Sequence, residues 1–138
     1  MRHLWVAFAI CCQASVGQAD TCSNLRSAAE ALPAVQGKSA TCTTSRTLGQ
    51  GASNNCYWSF GLRDEAAGAA FEAVSQLVAA CADAPMTIEG ASVNHPDSFD
   101  QITGRIGGKA VSVSLKDKGG LGQTVVFLRQ AQEGSPDQ

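Results

Sequence analysis

An α+β fold is predicted for this 138-residue chain: an antiparallel sheet of about five strands, with two helices packed on one face. Three observations predict it. Apolar residues recur at three- and four-residue spacing between Asp64 and Ala82, the mark of a helix that buries one stripe. Gly107-Gly108 sits between two apolar-patterned runs, the mark of a hairpin. Four cysteines between Cys22 and Cys81 can form two disulfides in the first part of the chain. The element order is α-β-β-α-β-β-β.

The first helix is expected over Asp20 to Leu32. Ser23 can cap it, and Leu25, Ala28, Ala29 and Leu32 fall at helical spacing. Pro33 and Gly37 end it. Ala40 to Leu48, rich in Thr and Ser, reads as a strand. Gly49 to Asn55 has the composition of a turn. Cys56 to Phe60 then alternates, with Cys56, Trp58 and Phe60 on one face and Tyr57 and Ser59 on the other.

In the long helix, Asp64 can cap the N-terminus and Glu65 complements the dipole. Ala67, Ala70, Phe71, Val74, Leu77, Val78 and Cys81 form the apolar stripe, and Pro85 prevents continuation. Met86 to Asp100 is less regular. Met86-Thr87-Ile88 can form a short strand, and Asn94-His95-Pro96-Asp97 a turn.

A two-residue turn at Gly107-Gly108 pairs Ile106 with Lys109, Gly104 with Val111 and Ile102 with Val113. That register puts Ile102, Ile106, Val111, Val113 and Leu115 on one face, so turn and pattern agree. Lys116 to Gly122 reads as a loop, and Gln123 to Arg129 as the last strand. Its continuous run Val125-Val126-Phe127-Leu128 suggests cover on both faces. A single domain over residues 20–130 and a polar, disordered tail over 131–138 complete the outline.

Residues 1–19 have the three parts of a secretory signal: Met1-Arg2-His3, the apolar run Leu4 to Cys12, and Gly17-Gln18-Ala19 before a cleavage point. The apolar run holds nine residues, and a membrane-spanning helix needs about 20. A lipidated cysteine fits less well, because neither Cys11 nor Cys12 follows a small residue. The expected location is periplasmic or secreted, after cleavage near Ala19. The remaining chain keeps nine of the ten Lys and Arg against 12 Asp and Glu, a formal charge of −3. Its basic residues are scattered along the sequence, which argues against nucleic acid as a partner. No later apolar run is long enough for a transmembrane anchor.

The four cysteines after the leader allow three pairings. Cys42 and Cys56 flank the turn near Gly49, and Cys22 precedes the first helix while Cys81 closes the second. Cys42–Cys56 and Cys22–Cys81 are therefore the expected bridges. The intervals of 20, 14 and 25 residues match neither the paired spacing of a zinc site nor a C-x-x-C redox pair. No motif implies a cofactor or a metal.

Three surfaces are candidates for function. His95, Asp97 and Asp100, with Ser98, could form a small hydrolytic or metal-dependent centre, although Asn, Pro, Asp and Ser make an ordinary turn. No G-x-S-x-G elbow accompanies Ser98. Lys116, Lys118 and Leu121 could form a partner-binding loop with Leu121 as its anchor, but a plain connection with Leu121 tucked under the sheet is the favoured reading. Tyr57 points away from Trp58, and Thr103, Arg105, Ser112 and Ser114 could join it on an open polar sheet face. No catalytic cluster stands out. The favoured reading is an exported, non-enzymatic module that binds a protein or another envelope component. The alternative is the small enzyme centred on His95, Asp97 and Asp100.

Overall fold

The computed structural model describes residues 22–25, 29, 36–47, 51–89 and 99–132. They form one antiparallel sheet of six strands and one long helix: β1 (Thr41–Thr47), β2 (Gly51–Gly61), α1 (Glu65–Cys81), β3 (Thr87–Glu89), β4 (Phe99–Ile106), β5 (Lys109–Lys118) and β6 (Gln123–Ala131). The strand order across the sheet is β1-β2-β6-β5-β4-β3. Every neighbouring pair is antiparallel. The last strand thus enters between β2 and β5, joining the two hairpins into one sheet.

The strand count exceeds the expected five because Thr87–Glu89 pairs with β4, Ile88 opposite Ile102. Met86, just before β3, lies against Gly104 so closely that a Cβ there would collide with its sulfur. The absent side chain at Gly104 lets this edge close. The helix expected over 20–32 lies largely outside the described residues. Within it, Leu25 and Ala29 are buried in the core cluster, as their four-residue spacing requires. The segment expected to be a leader lies outside the described residues, and so does the sequence beyond residue 132.

Helix α1 begins where its cap predicts. Asp64 accepts the Ala66 N–H at 3.0 Å, and Glu65 follows in the first turn. Ala67, Ala70, Val74 and Val78 form the buried stripe and pack against β5, β6 and β2. The small alanines let helix and sheet approach closely. Under α1 lie Trp58, Phe60, Ile102, Ile106, Val111, Val113, Val126 and Leu128, all buried. Apolar burial of this kind, at about 25 cal/mol per Å², is the main stabilising term.

The Gly107-Gly108 hairpin has the predicted register, residue for residue. Both glycines have positive φ, 57° and 76°, as a two-residue turn of this hand demands. Asp83 secures the turn from outside. Its carboxylate accepts from Gly107 N–H at 2.8 Å and Gly108 N–H at 2.9 Å, and its own N–H donates to the Arg105 carbonyl at 2.8 Å. Those two N–H donors, Gly108 foremost, together with the Arg105 charge, hold the Asp83 carboxyl below its ordinary pKa despite a small opposing effect of desolvation.

Three expectations are corrected. Residues 51–55 belong to β2 and not to a turn. Their polar side chains are satisfied across the ladder. Thr44 donates to Asn54 at 3.0 Å, Asn55 donates to Ser45 at 2.8 Å, and the Ser45 and Ser53 hydroxyls are 3.1 Å apart. Lys116–Lys118 extend β5, and only Gly119–Leu121 leave the sheet, as one 3-10 turn. Finally, β6 runs two residues past Arg129, and the Gln132 N–H still donates to Ala52 at 2.9 Å.

Two disulfides staple the fold. Cys42 and Cys56 stand directly opposite each other on β1 and β2. Cys22 is joined to Cys81, tying the N-terminal segment to the last turn of α1.

Candidate functional site

Side chains alternate between the sheet's faces, and α1 covers one of them. The register gives the composition of the other. Its central row reads Tyr57, Phe127, Ser114, Gln101 and Glu89 across β2, β6, β5, β4 and β3. The next row toward the Gly107-Gly108 turn reads Asn55, Arg129, Ser112, Thr103 and Thr87. On the other side of the centre lie Ser59, Val125 and Lys116, then Gly61, Gln123 and Lys118. Arg105 occupies the far row, beside Ala110. Among the described residues, no helix packs on this open face.

The centre of the face is aromatic. The Tyr57 and Phe127 rings are 6.3 Å apart with their planes tilted by 43°, a favourable offset geometry. The Lys116 ammonium lies 5.8 Å from the centre of the Phe127 ring, within cation–π range. Tyr57 is 36% exposed. Around the rings stands a polar frame already ordered by its own hydrogen bonds. Ser114 donates to Gln101 at 3.1 Å, and Asn55 holds Ser45 and Ser53. Ser53 and Ser114 are buried, so these hydroxyls are fixed.

Charge divides between the faces in a way the linear sequence conceals. Among the described residues, four cations, Arg105, Lys116, Lys118 and Arg129, share the open face with one carboxylate, Glu89. They look scattered in sequence because they come from three strands. Folding gathers them on one side of a chain whose net charge is −2.

The run Val125-Val126-Phe127-Leu128 is explained by the same alternation. Val126 and Leu128 enter the core, whereas Val125 and Phe127 belong to the open face. Val125 is itself buried, but it is not part of the core cluster. The open face is thus apolar at its centre, with no second layer among the described residues.

The residues nominated for binding are partly brought together. Tyr57 and Lys116 meet through Phe127. Lys118 lies one row beyond Lys116. Arg105 stands at the opposite end, and its guanidinium donates to the Gly108 carbonyl at 2.8 Å, so it also supports the hairpin turn. Leu121 does not tuck under the sheet. It is 74% exposed, because the 3-10 turn carries it off the end of β5. Phe127 and Arg129, central to the face, escape a reading from sequence. Polar Gln123 and Arg129 flanking Val125 and Phe127 at two-residue spacing were the available signal.

The alternative catalytic set is not assembled by the described residues. His95, Asp97 and Ser98 lie outside them. Asp100 is exposed at the start of β4. It lines a cleft of about 250 Å³ with Asp64, Glu65, Leu115, Asp117 and Thr124. The buried Thr124 hydroxyl accepts the Arg63 N–H at 2.7 Å and donates to Asp117 at 2.7 Å. Arg63 Nε donates to the other Asp117 oxygen at 3.2 Å. Arg63 has φ +56°, and these bonds hold that left-handed conformation while joining the β5–β6 turn to the start of α1. The network accounts for Asp117 structurally. Among the described residues, no three His, Cys, Asp or Glu side chains are placed to hold a metal, and no helix is long and apolar enough to cross a membrane.

No family model, curated protein or solved structure matches this chain.

Proposed function

We propose that this chain is an exported, disulfide-stapled module of the cell envelope that acts by binding, and that the open sheet face is its binding surface. One observation carries the reading: among the described residues, four cations against one carboxylate surround an aromatic pair on a face that no described helix covers. A protein surface with this balance attracts an anionic partner, and aromatic and Arg side chains supply most of the energy of typical contacts. Two disulfides favour an oxidising compartment. The leader-like sequence of residues 1–19, with cleavage near Ala19, supports export to the periplasm or beyond. The module comprises a single domain that follows the leader and runs to the end of β6 at Ala131, followed by a polar sequence.

The test is cosedimentation with an envelope fraction of the source cells. Wild type is expected to sediment at low salt and to be released by about 0.5 M salt, where the Debye length is only a few ångströms. Lys118→Glu with Arg129→Glu should remain in the supernatant while melting at the wild-type temperature, because both side chains are peripheral to the core. Equal sedimentation of the two proteins, or none by either, overturns the reading.

A further inference from the structure

We infer that the occupant of the open face is a linear acidic polysaccharide whose charges are carboxylates spaced along the chain. This inference rests on the reading of that face as the binding surface.

Shape comes first. The face is broad, and its aromatic centre lies within a six-stranded sheet. A small ligand needs a concavity to bury most of its surface. An extended polymer can instead collect many modest contacts along a flat track. From Lys118 through Lys116 and Arg129 to Arg105, the cations step along β5, β6 and β4. Alternate residues of a strand are roughly 7 Å apart, so the track is about 28 Å long.

Charge density comes second. The gap from Lys118 to Lys116 is one row, and from Lys116 to Arg129 it is two rows and one strand. That corresponds to roughly one cation per 7 to 15 Å. A chain carrying one monovalent acid per disaccharide suits this spacing directly, and one carrying an acid on every sugar meets it at every second or third residue. Duplex nucleic acid, with one charge per about 1.7 Å of its axis, is far more densely charged.

The neutral side chains decide between the remaining anions. Between the cations lie Ser112, Thr103, Gln101 and Asn55, an array of hydroxyls and amides. Sugar hydroxyls are donors and acceptors at once and can match such an array; leaving them unmatched would carry a desolvation penalty. Tyr57 offers a half-exposed ring on which the C–H face of a sugar can lie. Stacked bases call for successive exposed ring faces, yet Phe127 already has Lys116 over its ring. An acidic peptide would use the cations and leave the ring and hydroxyls without a purpose. A second copy of this face would set cations against cations.

The test is titration of the ¹⁵N-labelled domain with four probes: a polygalacturonate oligosaccharide, its methyl ester, poly-L-glutamate and an oligothymidylate. Polygalacturonate is expected to bind and to shift the amides of Tyr57, Ser112, Phe127 and Arg129. Methyl esterification should weaken binding by roughly tenfold or more, the loss expected for removing charge-assisted hydrogen bonds. Tyr57→Ala should weaken it several-fold, as loss of a ring contact does. The inference is overturned if polygalacturonate does not bind, if its methyl ester binds equally, or if poly-L-glutamate or the oligothymidylate binds as tightly. In the last case the face remains a binding surface for another anion. The cosedimentation result for Lys118→Glu with Arg129→Glu is read separately, so failure of the glycan and failure of the face are distinguishable.

Discussion

The two faces of the sheet share every backbone strand, yet they obey different chemistry. Under α1 stand Trp58, Val113, Val126 and Leu128, each no more than 2% exposed. Between them in sequence, and on the opposite side, stand Tyr57, Ser112, Ser114, Phe127 and Arg129. The covered face fills space at its centre and keeps charge, such as Asp100, Asp117 and Lys109, to its ends. The open face carries four cations, a framed aromatic pair and ordered hydroxyls. A two-residue period lets one chain carry both sets. The comparison teaches that stability and recognition are separable here: the cost of a substitution on one face should fall on folding, and on the other face on binding.

The sharpest way to break this comparison is to remove the largest buried ring. Trp58→Ala should cost about 3–5 kcal/mol in urea unfolding, through lost burial and the cavity left behind. Tyr57→Ala, one residue away on the other face, should cost about 1 kcal/mol. Similar losses would erase the distinction between the faces.

Next in size is the bridge on the covered side. Cys42→Ser with Cys56→Ser opens a loop of 14-residue separation and should destabilise the domain by roughly 3 kcal/mol in the chain-entropy model. Envelope binding per folded molecule should be unchanged. A lower melting temperature with intact cosedimentation supports the separation, and selective loss of binding contradicts it.

A smaller effect concerns the Asp83 brace of the Gly107-Gly108 turn. The native carboxyl titrates below its ordinary value. Its contribution is therefore present above the unfolded-state pKa near 4 and is lost as pH falls through the native one. Wild type should lose more of its melting temperature than Asp83→Asn on going from about pH 5 to about pH 3. Parallel pH curves for the two proteins would remove Asp83 as the source.

The smallest change is Ser75→Ala on α1. The Ser75 hydroxyl is buried without a hydrogen-bond partner. Removing it should leave stability unchanged or raise it by up to about 1 kcal/mol. A clear loss would show that the hydroxyl has a partner in solution.

What was legible in the sequence follows the strength of local signals. Gly107-Gly108 and the apolar pattern around it agree on a single register, and that register is observed. Asp64 marks the start of α1, and Pro85 lies four residues beyond its end. The first hairpin was less legible, because Ser53, Asn54 and Asn55 have turn chemistry until β1 supplies their partners. The open face was half legible. Alternation exposed Tyr57, but the unbroken run Val125–Leu128 hid the outward position of Phe127. Phe127 and Arg129 became neighbours of Tyr57 only through the pairing of β6 with β2, which is long-range. Leu121 was misplaced because glycines around it leave the turn without an inward constraint.

The most direct test of the open face is hydroxyl-radical footprinting of the wild-type protein bound to the envelope fraction. The account predicts strong protection of Tyr57 and Phe127, with no change at Leu62 and Ile88, which are exposed away from the aromatic centre. Protection at Ile88 or Leu62 with Tyr57 and Phe127 left reactive would contradict it.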